Sequence, residues 1–325
     1  MMRPAAGNDY VGAVLVLLLG AVIVAFGFWA NNYLLQAGTT LAMAVVLCLA
    51  WNIVGGYMGY PSFGTAAFFG LGCYAGGILQ TYGLPMGLAW TAAALVGGVF
   101  AFLLGTILLR LRGHYFAIGT IAVVEVMREI ANNWDGLTGG AVGLSLPILA
   151  GSPRFAGIFF YLAMWILAFA ALVLTVIIAR SKFGFGLRCI RQNENAASMV
   201  GVDVVKFKVS AFVISGILVA LAGSVYASMV GFIEPKDAFN ILLSIEVPVM
   251  VMLGAAGTVL GPVLGAFVYV LLRELIWVNF IHFHSAILGI LIVAVIYFIP
   301  KGLLREFGLA RWRHWTSRPA SAGPR

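Results

Sequence analysis

Apolar residues run along this chain in long unbroken blocks, with short polar stretches between them. Crossing a bilayer as a helix takes about 20 mostly apolar residues. Blocks of that size lie at 11–30, 34–54, 62–81, 86–109, 155–179, 209–231, 259–279 and 281–299. Two weaker ones lie at 115–133, which carries Glu125, Arg128 and Glu129, and at 239–257, which carries Glu246 and Pro248. The alternation of apolar and polar positions that marks a membrane β-barrel is missing. The pattern predicts an all-α membrane protein, a polytopic helix bundle of about 8–10 transmembrane helices. Ten crossings fit, as do eight with two re-entrant or broken helices, Pro248 marking one break. The block at 11–30 exceeds the roughly 7–15 residues of a secretory signal core, so it reads as a retained first helix.

Composition supports a lipid solvent. Hydrophobic residues make up 62% of the 325 and charged ones only 9%, against about 25% charged in a soluble domain. The 40 glycines fit the close helix contacts of membrane bundles, and small pairs recur at Gly55/Gly59, Gly72/Gly76, Gly257/Gly261 and Gly261/Gly265.

Charge orients the chain. Of its 19 lysines and arginines, Arg128 and Arg273 fall within spans, and in a ten-crossing arrangement Arg154 and Lys236 fall on one side and the other fifteen on the opposite side. Cationic loops stay in the cytoplasm, so both termini are expected there. The +8 net charge is then a topology signal and not a nucleic-acid surface.

Little points to catalysis. Cys48, Cys73 and Cys189 form no CxxC pair and the four histidines no metal-ligand spacing, so neither a metal nor a cofactor is expected. No Walker A motif is present, so any use of ATP falls to another chain. Two features carry chemistry. Glu125, Arg128 and Glu129 share one helix face, and charge at bilayer depth must pair or meet water; a structural ion pair and part of a translocation path both fit. In the inner loop, 180–208, apolar Leu187, Ile190, Ala197 and Val200 alternate with Arg188, Arg191 and Glu194. That predicts one amphipathic helix over 187–200, ended by Gly201, lying on the inner leaflet or docked into a partner.

The loop, with Glu194-Asn195-Ala196-Ala197 and Gly201, resembles the cytoplasmic loop of ABC-importer permeases, most closely the branched-chain amino-acid permeases of LivM type. Gly55–Gly77 (GGYMGYPSFGTAAFFGLGCYAGG), Leu109–Gly143 (LRLRGHYFAIGTIAVVEVMREIANNWDGLTGGAVG) and Ser244–Gly265 are similar to that family's other signatures, in the same order. Departures include Thr65 where the family often has His, Pro248 where it has Leu, and Ala255-Ala256 where it has a Gly pair.

The resemblance implies a permease subunit of an ATP-driven importer in a bacterial inner membrane, for branched-chain or other hydrophobic amino acids; relatives carry urea, short amides or aromatic acids. It implies a second homologous permease subunit, two cytoplasmic ATPase subunits and an extracytoplasmic binding protein as partners. Arg188, Arg191, Glu194, Ala196, Ala197 and Gly201 are implied to couple to the ATPase. Ser62, Thr65, Glu125, Arg128, Ser244 and Glu246 are expected along the path. Residues 1–300 then form one permease domain and 301–325 a basic cytoplasmic tail. A self-sufficient secondary transporter or channel is the rival, but it would need ion-coupling carboxylates and no docking loop.

Overall fold

The computed structural model describes residues 25–111 and 113–279, together with Gly20, Ile23 and Gly289. The expected spans at 11–30 and 281–299 and the tail after 300 lie outside the described residues, apart from a helical stretch at 25–29. Helix α1 (Asn32–Trp51) runs on through a π-helical turn, Asn52–Met58. Then come α2 (Thr65–Thr81), α3 (Met86–Leu108) and α4 (His114–Asn133). After the short α5 (Asp135–Thr138) and strand β1 (Leu144–Ser145), α6 covers Pro153–Arg180. The inner loop forms α7 (Lys182–Gln192) and α8 (Glu194–Met199). Helix α9 (Val204–Val230) leads to β2 (Phe232–Ile233), α10 (Pro235–Ala238), α11 (Ile241–Gly254) and α12 (Gly261–Asn279).

Short polar residues start these helices where the apolar blocks begin. The side chains of Asn31, Ser152, Ser181, Asn193, Asp203 and Asn240 each accept a first-turn N–H, supplying donors that the helix cannot satisfy itself. Glycines in the left-handed region close the π-helical turn at Gly59 and α9 at Gly231. Among the described residues, five stretches are long and apolar enough to cross a membrane: Asn32–Met58, Met86–Leu108, Pro153–Arg180, Val204–Val230 and Pro235–Gly254.

Two sequence expectations change. The helix expected over 187–200 is two helices, because Asn193 turns extended and caps the second. The break expected at Pro248 is absent: α11 runs through it. Proline removes one helical donor, but Val247, Val249, Met250 and Val251 are buried around it and packing holds the helix.

The bundle is organised about α9, which packs against α3, α2, α1 and α6, and most residues of α2 are buried. A Cβ added at Gly72 would lie 2.0 Å from the Ala220 carbonyl, and one at Gly223 would lie 2.2 Å from the Phe69 carbonyl. Helices α2 and α9 therefore meet backbone to backbone. Gly97 lets α3 approach α9 at the same residue, where its Cβ would lie 2.3 Å from that of Ala220. The outer sides of α3 and α6 expose Leu95, Val99, Ile107, Ile166 and Ile177, as lipid contact requires. At one end β1 and β2 pair antiparallel, Leu144 opposite Ile233. At the other, the ends of α1, α3 and α6 gather around the inner loop.

Gly72→Leu is therefore expected to lower the thermal midpoint in detergent by several degrees, since overpacking costs about 1–3 kcal/mol even against side chains. Gly87→Ala, with open space around it, is the control and is expected to leave the midpoint unchanged. Equal midpoints for the two variants would contradict the backbone contact.

Candidate functional site: the inner loop and the open face of helix 4

Three glycines set the inner loop against the bundle. Gly184 faces the Ile178 carbonyl and Gly186 the Phe207 ring, each too close for a Cβ. The Phe183 and Phe207 rings stack 5.3 Å apart, and Leu187, Ile190 and Ala197 are buried beneath the loop. Gly201 turns the chain at φ +84° into α9. There Asp203 caps the helix and pairs with Lys206 at 3.0 Å. That side-chain bond, joined by the Lys206 backbone N–H, holds the Asp203 carboxyl below the usual carboxylate range.

Lys208, Glu194, Arg188 and Arg191 bond back into the bundle. Lys208, 5% exposed, lies 2.7 Å from Glu194. It donates to the Tyr60 hydroxyl at 2.6 Å, and Tyr60 in turn donates to Glu194. Lys208 also sits 4.3 Å from the centre of the Tyr60 ring. A buried charge pair is tolerable when further hydrogen bonds complete it, and the phenol supplies them. Arg188 donates to the Ala179 carbonyl at 3.3 Å, where a cation complements the end of α6. Arg191 donates to the Gly56 carbonyl at 2.6 Å, one of the acceptors that the π-helical turn leaves free at its end. The outward side mixes exposed polar residues, among them Lys182, Gln192, Asn195 and Lys206, with an apolar end at which Met199 is 87% and Val200 73% exposed; Phe185 is also open. Ala196 lies on this open side and Ala197 on the buried one.

The residues expected along the path separate into two groups. Ser62, Thr65 and Ser244 are buried inside the bundle. The Ser62 carbonyl accepts from the Trp51 indole at 2.6 Å, and Ser244 accepts from the Ala66 N–H at 2.9 Å, completing the start of α2. The small cavity beside Ser62 and Thr65 measures about 10 Å³, room for at most a water. Glu125 and Arg128 instead pair at 2.6 Å on a half-exposed face of α4, with Glu129 3.8 Å from Arg128. Only Phe116, Thr120, Val124 and Ala131 of α4 are buried, while Tyr115, Ile118, Val126 and Ile130 are open. Glu246 belongs to neither group: it pairs with Arg273 of α12 at 3.7 Å, beside a second cavity of about 20 Å³.

This is a bundle with one firmly seated inner loop and one charged, unpacked helix face. The profile of the family described as "Branched-chain amino acid transport system / permease component" matches residues 30–296. The chain belongs to this family. It is 30% identical to the high-affinity branched-chain amino acid transport system permease protein LivM of Salmonella typhimurium strain LT2, over 92% of this chain and 76% of that one. Identity to LivM of Escherichia coli K12 is 30%, over 89% and 74%. The autoinducer 2 import system permease protein LsrC of Salmonella paratyphi B is 26% identical, over 66% and 65%. No solved structure matches the chain. The permease is thus a multi-pass transmembrane transport subunit of the branched-chain amino-acid class.

Sequence reasoning missed the permease's Tyr60, Lys208 and Asn52, which hold the inner end together. Lys208 was legible as a lysine entering an apolar block with no carboxylate a helical turn away. Asn52, fully buried in the block at 34–54, carried the same signal, a polar group that must find a partner at depth.

Removing one member of a buried pair costs about 3–5 kcal/mol, and replacing both with apolar groups far less. Lys208→Met is expected to lower the thermal midpoint clearly, and adding Glu194→Met to recover much of the loss. A double variant that loses the sum of the two single losses would show that Lys208 and Glu194 do not act as a pair.

Proposed function

We propose that this permease is the membrane-spanning part of an ATP-driven importer for branched-chain or other hydrophobic amino acids. It pairs with a second homologous permease, rests on two cytoplasmic ATPase subunits, and receives substrate from an extracytoplasmic binding protein. Residues 1–300 form the permease domain and 301–325 a cytoplasmic tail. Both termini lie in the cytoplasm of a bacterial inner membrane, the side on which cationic residues collect.

The observation that carries this reading is the tip of the inner loop. Arg188, Arg191 and Glu194 each bond back to the chain, and the most exposed apolar residues of the loop are Met199 and Val200, beside exposed Ala196. Anchored charges behind an open apolar tip suit docking into a groove of another protein, where buried apolar area supplies affinity.

A second observation supports a path between two chains. The cavities beside Ser62 and beside Glu246 measure about 10 and 20 Å³, room for a water or so at about 10–15 Å³ each on that measure, and a branched-chain amino acid is several times larger. Helix α4 presents the Glu125–Arg128 pair on a half-exposed face, and where the bilayer reaches that face such charge is tolerable only against protein or water. A partner permease facing α4 across a water-filled path satisfies both demands.

The complex reconstituted in proteoliposomes tests both parts. Met199→Asp with Val200→Asp is expected to leave membrane insertion intact and to release the ATPase subunits, abolishing leucine uptake. Glu125→Gln with Arg128→Gln is expected to leave the ATPase bound and to cut uptake at least tenfold. Retained ATPase in the first variant would remove the docking tip, and normal uptake in the second would remove α4 from the path.

A further inference from the structure

At the inner end of α1, the backbones at Gly56 and Gly257 meet too closely for a side chain, and the Arg191 side chain packs against both Gly59 and Gly257. A Cβ on Gly56 would lie 1.9 Å from the Asn52 side-chain oxygen and 2.7 Å from the Gly257 nitrogen. One on Gly59 would lie 2.7 Å from Cγ of Arg191, and one on Gly257 would lie 2.8 Å from Nη1 of Arg191. The Arg191 head thus bonds the Gly56 carbonyl at 2.6 Å and lies against the turn between α11 and α12.

Asn52 completes the junction from within. Its amide donates to the Thr258 carbonyl at 2.8 Å and accepts from the Gly257 N–H at 2.8 Å. A fully buried side chain makes a two-point bond to that turn and to nothing else. Beyond the turn, α11 and α12 fit as one body: Cβ atoms added at Gly254, Gly261 and Gly265 would lie 1.8, 2.4 and 1.9 Å from the facing backbone carbonyls. The turn itself is strained. Ala255 has φ +114°, the one positive φ on a residue other than glycine among the described residues, a conformation that persists only when its surroundings impose it.

We infer that Arg191 and Asn52 are positioning residues of transport, a two-step link that carries movement of the inner loop through Gly56 to the α11–α12 hairpin. This rests on the ATP-driven reading above. The geometry gives the direction of action. Helix α7 cannot shift without either losing the Arg191 bond or moving the π-helical turn. The π-helical turn cannot move without Asn52 carrying the turn at 257–258. That turn takes the hairpin with it, and the Glu246–Arg273 pair moves as part of the hairpin. Ala255 is where the hairpin can yield, because relief of its strain favours movement.

Two readouts separate this link from the function it serves. In the full-length permease in nanodiscs, Arg191→Ala is expected to speed amide hydrogen exchange at residues 255–260 at least tenfold and to leave the β1–β2 ribbon unchanged. Arg191→Lys, which keeps a donor for the Gly56 carbonyl, is expected to restore much of the protection. Unchanged exchange at 255–260 would overturn the link whatever the protein transports. In the complete complex with ATPase and binding protein, Arg191→Ala is expected to hydrolyse ATP normally and to move at least tenfold less leucine per ATP. Adding Asn52→Ala is expected to cause no further loss, since the two act in series. Multiplying losses, or an unchanged leucine-to-ATP ratio in Arg191→Ala, would overturn the link. Absence of ATP-driven uptake in the unmodified complex would overturn the proposed function and the link's role in it, and the exchange result alone would then stand as a structural contact.

Discussion

Lipid offers no hydrogen bonds, so every polar group this chain carries to depth must find its partner inside protein or at a water-lined surface. That constraint explains where the polar residues sit. Asn52 bonds the backbone of residues 257 and 258, Ser244 supplies the missing acceptor at the start of α2, and Lys208 is enclosed by Glu194 and Tyr60. Gln80 and Trp90 share the hydroxyl of Ser228 on α9 in the same way. Each of these ties together elements far apart in sequence. The helices pack through glycine because apolar side chains gain nothing by leaving lipid for one another. Specific polar ties then choose which helix ends meet.

The same constraint divides the charges into two kinds. In the inner loop Arg188, Arg191, Glu194 and Lys208 seat it against the bundle, Lys182 and Lys206 stay outside, and the end carries exposed Met199 and Val200. The charges of α4 stay on a half-exposed face that nothing in this chain covers among the described residues. It is this face that the proposed second permease would cover. The inner loop and the open face lie on different parts of the bundle, and the junction of Arg191, Gly56 and Asn52 lies beside the loop.

The sequence made the spans legible because unbroken apolar blocks have only one reading at this length, and α1, α3, α6 and α9 fall where the blocks lie. The weak block at 115–133 is a helix, its charges confined to one face. Boundaries inside the inner loop were less legible. Helical periodicity survives a one-residue interruption, so the pattern over 187–200 hid the cap at Asn193. Pro248 misled because packing on all sides can hold a helix through a lost hydrogen bond. The site residues were visible as residue types and not as directions. Glu194 and Arg191 read as outward charges on an amphipathic helix, whereas Lys208 at the start of α9 and Gly56, far off in sequence, face them from the bundle. Ser62, Thr65 and Ser244 read as polar walls, yet their neighbours are helix ends of the same chain.

In the proposed complex the inner loop, held by Arg188, Arg191, Glu194 and Lys208, docks by its apolar tip. Cysteine labelling in inside-out vesicles tests this docking most directly, with Cys48, Cys73 and Cys189 replaced. Cysteine at position 199 is expected to react readily with a membrane-impermeant maleimide and to become protected when the ATPase subunits bind. Cysteine in place of buried Ala197 is expected to stay unreactive in both states. Fast labelling at 197, or labelling at 199 that the ATPase subunits leave unchanged, would contradict the docking.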